Sequence, residues 1–175
     1  MKAVVVYESA FGNTHEIAEA VAEGLRSAAE VEVRAVTEAS PAVVEGASLL
    51  VVGGPTHVHG MASHMSMKGA AEDAKKRPDA HLEHDVEGPV LRDWFNELPK
   101  AKRVPAAAFD TRLGKPRLVT GSAAKGIAHR LKRHGYELVS DPESFIVDDS
   151  AGPLHEGELE RAKEWGRSLA EMAGG

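Results

Sequence analysis

Ser9-Ala10-Phe11-Gly12-Asn13-Thr14 is the stretch of this chain best equipped for chemistry, and that chemistry is anion binding. Ser9 and Thr14 supply hydroxyl donors and Asn13 an amide. Gly12 lets the backbone pass close to a ligand and take a positive φ. The preceding Val4-Val5-Val6 reads as a buried strand, and Ile17, Val21 and Leu25 after it mark one face of a helix. A strand, a short loop of small and hydroxyl residues and a helix start is the geometry that holds a phosphate. The helix N-terminus offers unpaired N–H groups and a partial positive charge. The stretch contains no Lys or Arg, so its donors are neutral. The simpler reading is a helix N-cap at Asn13 or Thr14 with no ligand. That accounts for Thr14 but not for the whole loop.

The surrounding elements decide what else can reach such a loop. Lys2–Tyr7 reads as a central strand and residues 14–28 as a helix. Val31, Val33 and Ala35 alternate with Glu32 and Arg34, as in a half-exposed edge strand. Ser48–Val52 is a third strand, ended by Gly53-Gly54-Pro55. Ser66–Lys76 is expected to be a short helix with Met67, Ala70, Ala71 and Ala74 inward, and 75–87 an exposed loop. Leu91, Trp94, Phe95 and Leu98 form a helix stripe, with Trp94 in the core. Val104–Phe109 is the fourth strand, and 122–134 a helix with Ile127 and Leu131 inward and Gly135 at its C-terminal cap. Residues 136–139 and 144–147 bracket Asp141-Pro142 as an interrupted fifth strand. Residues 156–172 close the chain as a helix burying Leu159, Ala162, Trp165 or Gly166, and Leu169, and Gly174-Gly175 should fray.

Strand–helix alternation with five strands predicts an α/β fold, a three-layer, doubly wound parallel sheet of order 2-1-3-4-5 in one domain over residues 1–173. In that order the ligand crevice lies beyond the carboxyl ends of strands 1 and 3. Residues 9–14, 53–61 and 109–115 all follow such ends and converge there.

Composition narrows the chemistry. The 175 residues carry a net charge of −6 and no cysteine, which excludes disulfides, thiol redox chemistry and iron–sulfur ligation. The charge argues against nucleic acid or anionic lipid as partner. The apolar fraction is 42% but aromatics only 5%, so the core must be built from small side chains. A start directly in a strand, with no apolar run of about 18 residues, leads to the expectation of a soluble cytoplasmic protein, not a membrane one.

Ser-x-x-Gly-Asn-Thr after the first strand resembles the phosphate loop with which the flavodoxin family binds flavin mononucleotide (FMN). A Walker loop and a Gly-x-Gly-x-x-Gly fingerprint are both absent. Phe11 departs from the family pattern, where a third hydroxyl is common, and is similar to the aromatic of some flavin-dependent quinone reductases. The resemblance implies FMN as cofactor, held by Ser9, Ala10, Phe11, Gly12, Asn13 and Thr14. It implies that Pro55, Thr56, His57, His59, Gly60 and Met61 flank the isoalloxazine ring on one side, and Phe109, Asp110, Thr111 and Arg112 on the other. Neither loop carries a covering Trp or Tyr. His59 or Met61 is therefore expected to cover one ring face, His59-Gly60 to be the site of a peptide rearrangement at N5, and Arg112 to lie over the ring or near its N1–O2 edge. The bland alternatives are exposed loop histidines and a solvated Arg112. Phe109 is expected to end its strand and point into the core.

Three functions stay open at this point. The first is an FMN-binding electron-transfer protein with a reductase or acceptor as redox partner. The second is an FMN-dependent quinone or small-molecule oxidoreductase, and the third a flavodoxin-fold binding module that has lost flavin. Histidines 57, 59, 64, 81 and 84 match no metal motif, so no metal site is expected.

Overall fold

The computed structural model describes residues 1–57, 59–83 and 88–174. β1 (Lys2–Tyr7) is buried from Ala3 onward, because the valine run is covered on both faces. It leads through the Ser9 loop into α1 (Asn13–Leu25), then to the half-exposed β2 (Glu30–Ala35) and a short α2 (Pro41–Val44). β3 (Leu49–His57) and the two-residue β4 (Gly60–Met61) form a hairpin, followed by α3 (His64–Ala74) and α4 (Leu91–Glu97). β5 (Pro105–Leu113), α5 (Arg117–Thr120) and α6 (Ala123–Arg133) come next. The chain closes with β6 (Glu137–Leu138), β7 (Glu143–Val147) and α7 (Glu158–Gly174).

The sheet runs β2-β1-β3-β5-β6, with β7 also on β5. These pairings are all parallel, and β4 pairs antiparallel with β3. β6 pairs with Pro105 and Ala106, and β7 with Phe109–Leu113, so both lie on one side of β5. They are the two pieces of the interrupted fifth strand, and the order 2-1-3-4-5 is the order observed. Ala3, Val5, Leu49, Val51, Ala107 and Phe109 pack under α1 and α7. Their alternates Val4, Val6, Leu50, Val52, Ala106 and Ala108 pack under α4 and α6. Trp94 is in this second layer, 6% exposed, its Nε1–H donating to the Ala39 carbonyl at 2.6 Å.

The sheet departs from expectation at the strand ends. β3 does not stop at Gly53-Gly54-Pro55 but continues to His57, paired in register with β5 as far as Thr111. Gly53 is there to make room, not to turn the chain. A Cβ on it would come within 2.1 Å of the Phe109 ring. β5 likewise runs past Phe109, so Asp110, Thr111 and Arg112 are strand residues, not loop residues. In α7 the buried face is Glu158, Ala162, Gly166, Leu169 and Ala170, and Leu159 is 44% exposed. Glu158 takes the inward place because its carboxylate accepts from the Ile146 N–H at 2.7 Å and pairs with Arg161.

Residues 75–82 are largely exposed, as expected, but Glu83 is half-buried. Residues 84–87 of that loop and Gly175 lie outside the described residues. Among the described residues no helix is long and apolar enough to cross a membrane.

Candidate functional site

A cleft of about 430 Å³ opens beyond the carboxyl ends of β1, β3 and β5. That volume is within the range of small-ligand sites. Ser9, Ala10, Phe11, Asn13 and Thr14 form one wall. Gly12 is the N-cap of α1, in the left-handed region at φ 92°, and no side chain among the described residues caps the helix. The cap reading for Asn13 or Thr14 is thereby corrected, because both lie inside the helix. The first N–H groups of α1 are left for another acceptor. Ser9 Oγ accepts from the Gly12 N–H at 3.0 Å, which shapes the turn and leaves the hydroxyl proton to donate. Thr14 Oγ1 lies 2.7 Å from Thr111 Oγ1 and joins α1 to β5, with one of the two protons still available. Phe11 packs with Ala10, Ala62, Met67 and Val90, which explains the missing hydroxyl. The aromatic anchors the loop to the segment that leads into α3.

Pro55, Thr56 and His57 form the second wall. His57 Nδ1 is 3.2 Å from Ser66 Oγ, and burial pushes its pKa down, so the ring is neutral near pH 7. The other expectations for this loop are corrected. Val58 lies outside the described residues. His59 is exposed at the hairpin corner, Gly60 pairs with His57, and Met61 is buried facing Gly126 of α6. None of these three lines the cleft, so neither His59 nor Met61 is placed to cover a ring there. The two-residue hairpin turns the chain away before it can. The positive φ of 70° falls on His59, not on Gly60.

From β5, Thr111, Arg112 and Leu113 reach the cleft, while Phe109 and Asp110 do not. Phe109 is fully buried, edge-on to Phe145 and Trp165. Asp110, also fully buried, points to α6. Its Oδ2 accepts from Thr56 Oγ1 at 3.0 Å, Ser122 Oγ at 2.7 Å and the Ala124 N–H at 2.9 Å. This carboxylate sits at the positive end of α6, which explains how it is held in the interior. Arg112 Nη1 donates to the Lys115 carbonyl at 2.7 Å and to Thr120 Oγ1 at 3.2 Å, pinning the loop after β5. Its Nε is buried with no partner among the described residues.

The structure adds a wall that sequence reasoning missed. α3 begins at a reciprocal capping box between Ser63 and Ser66. It turns Met67, Ala71 and Ala74 to the interior and Ser66, Gly69, Ala70 and Asp73 along the cleft. Arg77, just beyond the helix, and Ser150 and Ala151, after β7, complete the mouth. The spacing 66, 69, 70, 73, 77 is itself a helical stripe of small and polar residues, the signal that could have revealed the wall. Glu83 docks behind the Ser9 loop. Its N–H donates to the Ala10 carbonyl at 2.9 Å and its carboxylate pairs with His15, which stacks on Tyr7. Glu8, at the end of β1, is 3% exposed and accepts from the Leu91 N–H at 2.7 Å. Burial pushes its pKa up to about 7.

The histidines do not converge. His57 contacts Ser66, His64 pairs with Asp93 at 2.6 Å, and His84 lies outside the described residues. Among the described residues no group of three His, Asp or Glu is placed to hold a metal ion.

Comparison with known proteins matches this arrangement. No curated protein matches the chain. Among solved structures it is similar to oxidised flavodoxin 2 from Bacillus cereus, with 18% identity, TM-score 0.68, and 98% of this chain and 99% of that one covered. It is also similar to the flavodoxin of Streptococcus pneumonia TIGR4 (19% identity, TM-score 0.67, 98% and 99% covered). An archaeal flavodoxin aligns over the full length of both chains at 20% identity and TM-score 0.66. At these identities the likeness establishes the fold. The family model "Flavodoxin" matches residues 5–165, and with this span covering nearly the whole chain, the protein belongs to the flavodoxin family.

Proposed function

We propose that the protein binds FMN in this cleft and acts in electron transfer. The observation that carries the reading is the uncapped N-terminus of α1, opening into a cleft of mononucleotide size. The residues fit the group. Ser9 retains its hydroxyl proton and the Thr14–Thr111 pair one of its two, Asn13 and Thr14 bring the start of α1 to the same space, and the Arg112 Nε, buried without a partner among the described residues, is a donor that needs an acceptor. Gly69 and Ala70 leave the α3 wall thin enough for a flat ring system. When bound, FMN supplies reversible one- and two-electron chemistry. The chain's part is to hold the phosphate, exclude water with α3, and present donors from Arg112 and the Pro55–His57 strand end.

A redox partner protein is part of the proposal. It is supported by Leu118, 96% exposed, and Val119, 56% exposed, on α5, which Arg112 ties down through Thr120. A second reading, reduction of a quinone or other small molecule, is favoured by His57, a neutral imidazole in the cleft whose orientation Ser66 holds. The N–H of a neutral imidazole can donate a hydrogen bond to a quinone or carbonyl oxygen and orient it.

Titration of flavin-free protein with FMN, followed by quenching of flavin fluorescence, tests the binding. Saturable quenching at one equivalent supports it, and unchanged fluorescence refutes it. Potentiometric titration of the loaded protein then separates the readings. Two resolved one-electron steps support a carrier, and a single two-electron step supports a reductase.

A further inference from the structure

The Ser9–Thr14 stretch contains no cation. The fold brings one to it. Arg77, three residues beyond the end of α3, lines the same cleft as Ser9, Asn13 and Thr14. Its Nη2 donates to Asp149 Oδ2 at 2.6 Å and its Nη1 lies 3.4 Å from Ser150 Oγ, so the side chain crosses the mouth from α3 to the loop after β7. That loop rests on the phosphate-loop residue Asn13. A Cβ on Gly152 would lie 2.5 Å from Asn13 Oδ1. The guanidinium is therefore bonded to a segment that itself touches the uncapped start of α1. The pair that holds it is weak, with side-chain exposures of 36% for Arg77 and 56% for Asp149. Exposed pairs of this kind contribute little to stability, so exchange of Asp149 for a better anion is easy. A phosphate monoester is such an anion, carrying up to two charges in a geometry that matches the guanidinium fork. Asp73 on the same wall opposes an anion, but Lys76 lies 3.7 Å from it.

We propose that Arg77 is the cation of the phosphate site. On binding, its guanidinium leaves Asp149 for the phosphate of the ligand, drawing the end of α3 across the cleft. This rests on the FMN reading above and adds to it the residue that selects the phosphorylated flavin over the free one.

The test is parallel fluorescence titration of flavin-free wild type, Arg77→Gln, Arg77→Lys and Asp149→Asn with FMN and with riboflavin, at low and moderate salt. Arg77→Gln should weaken FMN about tenfold and riboflavin less than twofold, and should flatten the salt dependence of FMN binding. Arg77→Lys should recover part of the loss. Asp149→Asn, which removes the competing anion, should leave FMN binding unchanged or tighten it. Equal weakening of both flavins in Arg77→Gln would make Arg77 a support for α3 and overturn the proposal. So would no weakening of either, or a tenfold loss in Asp149→Asn. Wild type that binds both flavins alike would overturn the role of Arg77 while leaving flavin binding intact. Wild type that binds neither overturns the FMN reading and this inference with it.

Discussion

Glu8→Gln isolates a single buried proton. The Glu8 carboxyl accepts from the Leu91 N–H and faces Gly54, with Arg92, Asp93 and His64 as the charged neighbours, and desolvation dominates its titration. In the unfolded chain it ionises near its ordinary value of 4.5, and in the folded protein at about 7. Between those pH values the native state holds a proton that the unfolded state has released. Stability from this group is fully present below 4.5 and is lost as pH rises to 7, in total about 3 kcal/mol. Glutamine keeps the acceptor for Leu91 and cannot ionise. Wild type and Glu8→Gln should have similar stabilities near pH 4, diverge by a little over 1 kcal/mol per pH unit between 4.5 and 7, and run parallel above, with the variant more stable. Urea unfolding at half-unit pH intervals from 4 to 8.5 measures the difference, in which the other carboxylates cancel. A constant difference across that range, or a wild type that gains on the variant as pH rises, would refute the reasoning.

Three further outcomes follow from the packing. Gly53→Ala should lower stability by more than about 3 kcal/mol, read as a drop in thermal midpoint, since its Cβ meets the Phe109 ring at 2.1 Å in a fully buried layer. Asp110→Ala should cost about 1–3 kcal/mol by urea unfolding, because the Thr56 and Ser122 hydroxyls and the Ala124 N–H lose their shared acceptor. Phe11→Ser should cost about 1–2 kcal/mol and raise hydrogen exchange in α3, through loss of the contact with Ala62 and Met67.

Sheet order was legible because it depends on local patterning. Valine runs mark strands covered on both faces, and Glu32 and Arg34 betray an edge. Strand ends were not, because Gly53-Gly54-Pro55 carries the residue types of a turn while the ring of Phe109, far along the chain, decides their use. The loop before α1 was legible as a strand-to-helix turn because six consecutive small, hydroxyl and amide residues follow a valine strand and lead into a helix stripe. His59 and Met61 were misplaced because a two-residue hairpin redirects the chain between Thr56 and Met61. Arg77 was invisible as a site residue because its partner, Asp149, is 72 positions away.

The split fifth strand has a consequence for solubility. An outer strand normally offers a row of free backbone groups to any passing chain, and long flat edges of that kind seed association. Here one border of the sheet is two short pieces, β6 and β7, interrupted around Asp141-Pro142. Arg161 lies over Phe145, 4.4 Å from the ring centroid, and pairs with Glu143, placing charge along the longer piece. The other border, β2, alternates Glu30, Glu32 and Arg34 with its valines, and Glu32 pairs with both Lys2 and Arg34. Neither border gives an incoming strand a continuous uncharged register, which works against edge-to-edge pairing between copies of a sheet this rich in valine and alanine.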